Sequence, residues 1–270
     1  MTMTPGTTVQ EKYAGDPSEN YERYFVPPIG LPFARPVLQA ARLGEGERVL
    51  DVACGTGVAA RLALEAVGPT GKVAGVDLNP DMLNVARRGE SSIEWGQADA
   101  QDLPYPDDSF DAVLCSLGFQ FIPDKVQALR EMYRVLTPDG RVVLSTPGPT
   151  PPLFQAIDEV LLQHVGSEAS AFVNVVFSVH EPSEVRSMLE TAGFTGVEIE
   201  YGPLSLRVPP PADFFWQYVL STPLAMLFAQ LDRKVKEDVE RDVIDKCRPF
   251  VNGDGLSMEP GLLLAMAVRP

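Results

Sequence analysis

Between residues 48 and 146, short apolar runs alternate with segments whose apolar positions recur at helical spacing. Glycine, proline or a small polar residue marks each junction. A continuous apolar run bounded by turn residues reads as a strand covered on both faces, whereas recurrence at i, i+3 and i+4 reads as a helix with one buried stripe. Strands are therefore expected at 48–52, 72–77, 93–98, 111–116 and 141–146. Helices are expected at 58–67, from Pro80 behind an Asn79 cap, and over 124–136, where Val126, Leu129, Tyr133 and Leu136 share a stripe. A further helix over 32–43 precedes the first strand, stopping at Gly44. Repeated strand–helix–strand units imply a mostly parallel sheet with right-handed crossovers.

The proline-rich stretch at 147–152 stops this pattern. Beyond it, helices are expected over 153–165 and 182–192, and a sixth strand over 197–201, continuing towards 208. After Pro209-Pro210-Pro211, the positions Leu224, Leu227, Phe228, Leu231 and Val235 predict one long amphipathic helix. A last apolar run at 262–268 returns to strand and re-enters the sheet late, as its seventh member.

Composition narrows the class. The 270 residues are 45% apolar, enough for a full core. A net charge of −15 repels phosphate backbones, so nucleic acid is not an expected partner. The three cysteines, Cys54, Cys115 and Cys247, form no metal or redox spacing, which fits a reducing compartment. No leader-like segment opens the chain and no stretch suits membrane insertion, so the expected location is the cytoplasm.

The most informative run is Val49-Leu50-Asp51-Val52-Ala53-Cys54-Gly55-Thr56-Gly57: a strand, an acidic residue, a glycine turn, then a helix. Such a junction offers backbone N–H groups and a carboxylate to a nucleotide-like cofactor. Gly55-x-Gly57-x-x-Ala60 also satisfies the dinucleotide fingerprint, and Asp77 lies 20 residues beyond Gly57, so an NAD(P)-dependent oxidoreductase is a rival. Against it, no tyrosine is followed four residues later by lysine, and Asp51 stands where a dehydrogenase strand is normally apolar.

The stretch 51–57 resembles the first motif of class I S-adenosylmethionine-dependent methyltransferases. Val76-Asp77-Leu78-Asn79-Pro80-Asp81-Met82-Leu83, the loop 97–111, and Arg130-Glu131-Met132-Tyr133-Arg134 with the turn up to Arg141 resemble later parts of the same family, in the expected order. The closest resemblance is to the type 11, ubiquinone/menaquinone-biosynthesis-like enzymes acting on small molecules. It implies an α/β fold: a Rossmann-like, seven-stranded, mostly parallel sheet with helices on both faces and a helical lid. The expected organisation is a flap and helix at 1–44, a cofactor-binding core at 45–146, and the remainder at 147–270 with lid insertions near 150–180 and 209–255.

The resemblance also implies roles. Gly55, Thr56 and Gly57 would approach the methionyl part of the cofactor. Asp51 would hold its ammonium, directly or through water, with the Ser116 carbonyl. Asp77 would accept from the ribose hydroxyls, Leu78 and Met82 would pack on the adenine, and Asp99 and Ala100 would meet its edge. The plainer alternatives are that Asp99 is an ordinary loop acid and Met82 a core residue. Methyl transfer needs no protein nucleophile, and a general base helps only for some acceptors. His164 and His180 are the candidate bases, with Glu168 weaker, and Gln120, directly after the fourth strand, is a candidate for orienting an acceptor or capping a backbone group. No metal is indicated.

Aromatic residues gather in the outer segments: Tyr13, Tyr21, Tyr24 and Phe25 before the fold, and Phe172, Phe177, Phe214, Phe215, Trp216 and Tyr218 in the insertions. They suit an apolar or aromatic acceptor. The expected activity is thus methyl transfer from S-adenosylmethionine to a small, largely apolar or aromatic acceptor at O or C. A non-catalytic cofactor-binding protein on the same fold is the other alternative, and a homodimer stays open.

Overall fold

The computed structural model describes residues 8–270; the first seven residues of the expected flap lie outside them. Ten strands occur in chain order: β1 (Arg48–Val52), β2 (Lys72–Asp77), β3 (Glu94–Gln97), β4 (Phe110–Ser116), β5 (Leu136–Pro147), β6 (Thr195–Pro203), β7 (Leu206–Val208), β8 (Val251–Asn252), β9 (Gly255–Met258) and β10 (Gly261–Val268). The chain divides into two compact units. A sheet unit comprises Gly30–Pro149, Phe177–Pro203 and Gly261–Pro270. A helical unit comprises the described part of Met1–Ile29 together with Thr150–Val176 and Leu204–Pro260.

The sheet unit holds seven strands in the order β3-β2-β1-β4-β5-β10-β6. β1 to β5 pair in parallel, and β10 runs antiparallel between β5 and β6. The last strand thus re-enters late, by insertion beside β5 rather than at an edge. Side chains alternate between two covered faces. On one, Leu50, Val52, Val113 and Leu144 meet Leu129, Met132 and Leu189 from helices Lys125–Val135 and Pro182–Thr191. On the other, Val49, Leu114 and Val143 meet Val37 and Ala41 of helix Leu31–Ala41 and Ala60, Ala63 and Val67 of helix Val58–Val67. Helix Leu31–Ala41 therefore belongs to the sheet unit, not to a separate flap. It ends at Arg42, which takes the left-handed conformation (φ +47°), two residues before the expected Gly44. At the amino ends of β1 and β4, Arg48 grips Asp111 through two guanidinium contacts (2.7 and 3.1 Å) and its own N–H (2.8 Å).

In the helical unit, helix Pro211–Leu220 carries the aromatic run, and Lys12 (2.7 Å) and the Tyr13 hydroxyl both engage its Asp213. Tyr21–Gly30 winds as a wide helix through Pro27 and Pro28. The expected long helix at 224–235 is corrected to two, Leu224–Ala229 and Arg233–Cys247. Asp232 is extended between them and starts the second, whose buried stripe is Val239, Val243 and Cys247. The strand expected to continue to 208 is also broken: after Pro203, Leu204 bonds Pro260, and β7 joins β9 and β8 in a small antiparallel sheet that the sequence pattern did not reveal. Among the described residues no helix is long and apolar enough to cross a membrane. All three cysteines are unpaired and buried.

Candidate cofactor site

β1 ends in Asp51, which is 1% exposed. One carboxylate oxygen accepts from the Ala60 N–H (2.9 Å), in the first turn of helix Val58–Val67. β2 ends in Asp77, whose two oxygens accept from the N–H groups of Gly55 (2.7 Å) and Asn79 (2.8 Å). The glycine turn between them is therefore held from both sides by carboxylates. Burial pushes the Asp51 carboxyl up to about 7, opposed by the Ala60 N–H and reinforced by the charge of Asp77. Burial also raises Asp77, opposed by its backbone donors. The buried Asp51 and the half-buried Asp77 repel each other less when a cation arrives.

The turn is strained in a specific way. Gly55 and Gly57 both adopt positive φ (+55° and +88°), and so do Ala53 (+55°) and Leu117 (+56°) after β4. For non-glycine residues this conformation costs energy and clusters at functional loops. A Cβ on Gly57 would lie 2.3 Å from the Trp95 ring, and one on Gly75 would lie 2.4 Å from the same ring. The need for glycine at 57 is thus met inside the fold, by an indole that donates to the Glu90 carbonyl (2.8 Å). Gly118 is pressed in the same way against Ala53 (2.5 Å), so the loops after β1 and β4 touch.

Leu78, the residue after Asp77, is 67% exposed, although leucine is usually covered. Met82, one turn into the following helix, is half-buried. Asp99 is exposed in the loop after β3 and accepts from the Gln101 backbone (2.9 Å) and side chain (3.0 and 3.1 Å), which hold its carboxyl below the usual range. The neighbouring Ala100 is half-buried. The loop is clamped by the motif on helix Lys125–Val135: Glu131 accepts from Leu103 N–H (2.8 Å), and Arg134 donates to the carbonyls of Tyr105 (2.7 Å) and Leu103 (3.0 Å). At the end of β4 the Ser116 and Ser145 hydroxyls pair (3.2 Å).

Three buried polar atoms at these strand ends have no hydrogen-bond partner among the described residues: Thr56 Oγ1, Gln120 Oε1 and Thr146 Oγ1. Gln120 donates its amide to the Leu117 carbonyl (2.8 Å), leaving the carbonyl oxygen unused. Sequence reasoning named Thr56 and Gln120 but not Thr146, whose only signal was a hydroxyl closing an apolar strand. It also missed Ala53, Leu117 and Gly118, because close contact between two loops leaves no trace in spacing.

The histidines are engaged locally. His164 meets Asp242 (2.8 Å) within the helical unit, and His180 meets the Phe177 carbonyl (2.7 Å) within the sheet unit. Glu168 is exposed at the first turn of helix Ser167–Val176.

Comparison with known proteins agrees with this architecture. A methyltransferase-domain family model of type 11 matches residues 50–144. Demethylmenaquinone methyltransferase of Deinococcus radiodurans is 40% identical over 163 residues, covering 54% of this chain and 67% of that one. The enzyme of that name from Staphylococcus carnosus is 34% identical over 179 residues, covering 61% and 74%. Among solved structures, the YcgJ protein of Bacillus superposes with a TM-score of 0.56 at 21% identity over 89% of this chain and 98% of that one. A Haemonchus contortus phosphoethanolamine N-methyltransferase in complex with S-adenosylhomocysteine superposes at 0.59 and 20% identity, over 94% of this chain and 57% of that longer one. These two likenesses speak for the fold. The chain belongs to the type 11 family of S-adenosylmethionine-dependent methyltransferases. It is a methyltransferase enzyme, and the oxidoreductase alternative is set aside.

Proposed function

We propose that this enzyme methylates a planar, reduced quinone or phenol-type ring, at carbon or oxygen. The observation that carries this reading is the similarity to enzymes named for demethylmenaquinone, which extends over two thirds or more of their length. The aromatic content of the helical unit supports it, since aromatic side chains suit flat apolar ligands.

We assign cofactor binding to the loops after β1 to β4. Asp51 is the counter-charge for the methionyl ammonium, with the Ser116 carbonyl beside it. Asp77 receives the ribose hydroxyls on lone pairs its two backbone donors leave available. The exposed Leu78 face and Met82 cover the adenine, and Asp99 with Ala100 meets its edge. Gly55, Thr56 and Gly57 supply backbone and the unpartnered Thr56 hydroxyl. The donor set fits the cofactor: the carboxylates of Asp51 and Asp77 flank the glycine turn, and the leucine after Asp77 lies exposed. When bound, S-adenosylmethionine supplies an activated methyl group for in-line displacement. The protein's part is to fix the donor, align the acceptor and exclude water.

The organisation that follows is a sheet unit for the donor and a helical unit for acceptor selection. A cytoplasmic setting is supported by three unpaired cysteines, and the absence of a nucleic-acid partner by the −15 charge. Incubating the protein with labelled S-adenosylmethionine and a demethylated naphthohydroquinone tests the acceptor class. Label in the quinone fraction is the expected result; transfer only to simple amines or thiols contradicts it.

A further inference from the structure

The helical unit contains a buried phenol that nothing among the described residues satisfies. Tyr218, on helix Pro211–Leu220, is 4% exposed, and its hydroxyl has no hydrogen-bond partner among the described residues. Its ring is collared by four others: Phe154 at 5.1 Å between centroids, Phe214 at 6.1 Å, Phe172 at 6.4 Å and Phe25 at 6.5 Å. These rings come from all three chain segments of the unit. Phe25 and Phe172 are half-buried, whereas Phe154 and Phe214 are buried.

Packing alone does not explain a tyrosine here. Phenylalanine would fill the same place without a stranded hydroxyl, and an unsatisfied buried hydroxyl is costly. The same unit holds more such atoms. Ser221, three residues on and 1% exposed, has an unpartnered Oγ, and Asp158 has an unpartnered, buried Oδ1. Asp158 follows Phe154 by four residues on helix Pro152–His164, so the two share a helix face. An aromatic collar around an unused hydroxyl is the composition of a site for a flat ring bearing oxygen.

We propose that Tyr218 is a specificity-determining residue that binds the ring oxygen of the acceptor within this aromatic collar, an inference that rests on the acceptor class given above. Burial raises the phenol, so it stays protonated and donates; it is not the general base. A ring without oxygen would leave the phenol stranded, which is how such a site discriminates.

Tyr218→Phe removes one oxygen and keeps the ring, so folding is retained; an unchanged or raised melting temperature confirms it. Calorimetry of full-length protein, pre-loaded with S-adenosylhomocysteine, compares 1-naphthol with naphthalene. The wild type is expected to prefer 1-naphthol by about tenfold, and Tyr218→Phe to bring the two ligands within about twofold. A preference that survives in Tyr218→Phe, or a wild type that does not distinguish the ligands, overturns the proposal. Either result leaves the acceptor class to the labelled-quinone experiment, whereas a quinone that is not methylated while 1-naphthol discrimination persists overturns that class alone.

Discussion

Asp77 accepts a hydrogen bond of 2.7 Å from the backbone N–H of Gly55. This one bond ties the end of β2 to the turn after β1, so the residue assigned to the ribose also shapes the turn assigned to the methionyl group. Removing it acts on both. Asp77→Ala is expected to weaken S-adenosylhomocysteine binding at least about tenfold, the scale of a charge-assisted hydrogen bond. Asp77→Asn, which keeps an acceptor for Gly55, should lose less. Equal affinity in all three proteins by calorimetry would contradict the assignment.

Asp51 gives the account a pH dependence. Its carboxyl is raised to about 7 by burial. A cation is held by the ionised form, so affinity for S-adenosylhomocysteine should rise with pH and level off above 7. About tenfold weaker binding one unit below that value is the expected limit. A flat profile between pH 6 and 8 contradicts it.

The same shift has the opposite sign for stability. The folded state binds a proton on Asp51 more tightly than the unfolded chain, so its contribution to stability is lost as pH rises from the ordinary carboxylate range to about 7. Asp51→Asn keeps an acceptor for Ala60 and removes the charge. It should stabilise the protein at pH 8, on the order of 2 kcal/mol, and much less at pH 5, while weakening cofactor binding. Thermal melts at the two pH values check the sign.

Gly57→Ala places a methyl 2.3 Å from the Trp95 ring at a φ of +88°. Both terms are unfavourable, and a loss of roughly 2–4 kcal/mol is expected. Gly57→Ala combined with Trp95→Leu should recover part of that loss, because the obstacle is a named side chain. No recovery in denaturant melts would place the strain elsewhere.

Leu78→Ser tests the exposed face. At 67% exposure the side chain contributes little to folding, so stability should stay within about 0.5 kcal/mol. Cofactor affinity should fall several-fold, because apolar cover for the adenine is lost. Unchanged affinity contradicts the stacking role.

The sheet was legible because each of β1 to β5 is an apolar run closed by a turn residue, a pattern with one physical meaning. The motif residues Asp51, Gly55 and Asp77 were legible for a related reason: strand ends and helix starts fix where they point. What escaped depends on contacts between distant segments. Trp95 under Gly57 and Gly118 against Ala53 are set by packing, not by spacing. The break at Asp232 was hidden because Leu231 and Val235 keep helical period across it. The small sheet of β7, β8 and β9 was hidden because its strands are only two to four residues long.

The glycine turn between Asp51 and Asp77 is the proposed seat of S-adenosylmethionine, and isothermal titration of the purified protein with S-adenosylhomocysteine, run beside NADH, decides it. Saturable binding of S-adenosylhomocysteine at about micromolar concentration, abolished or strongly weakened in Asp77→Ala, and none of NADH is the expected result. Binding of NADH without S-adenosylhomocysteine, or S-adenosylhomocysteine binding indifferent to Asp77, would contradict it.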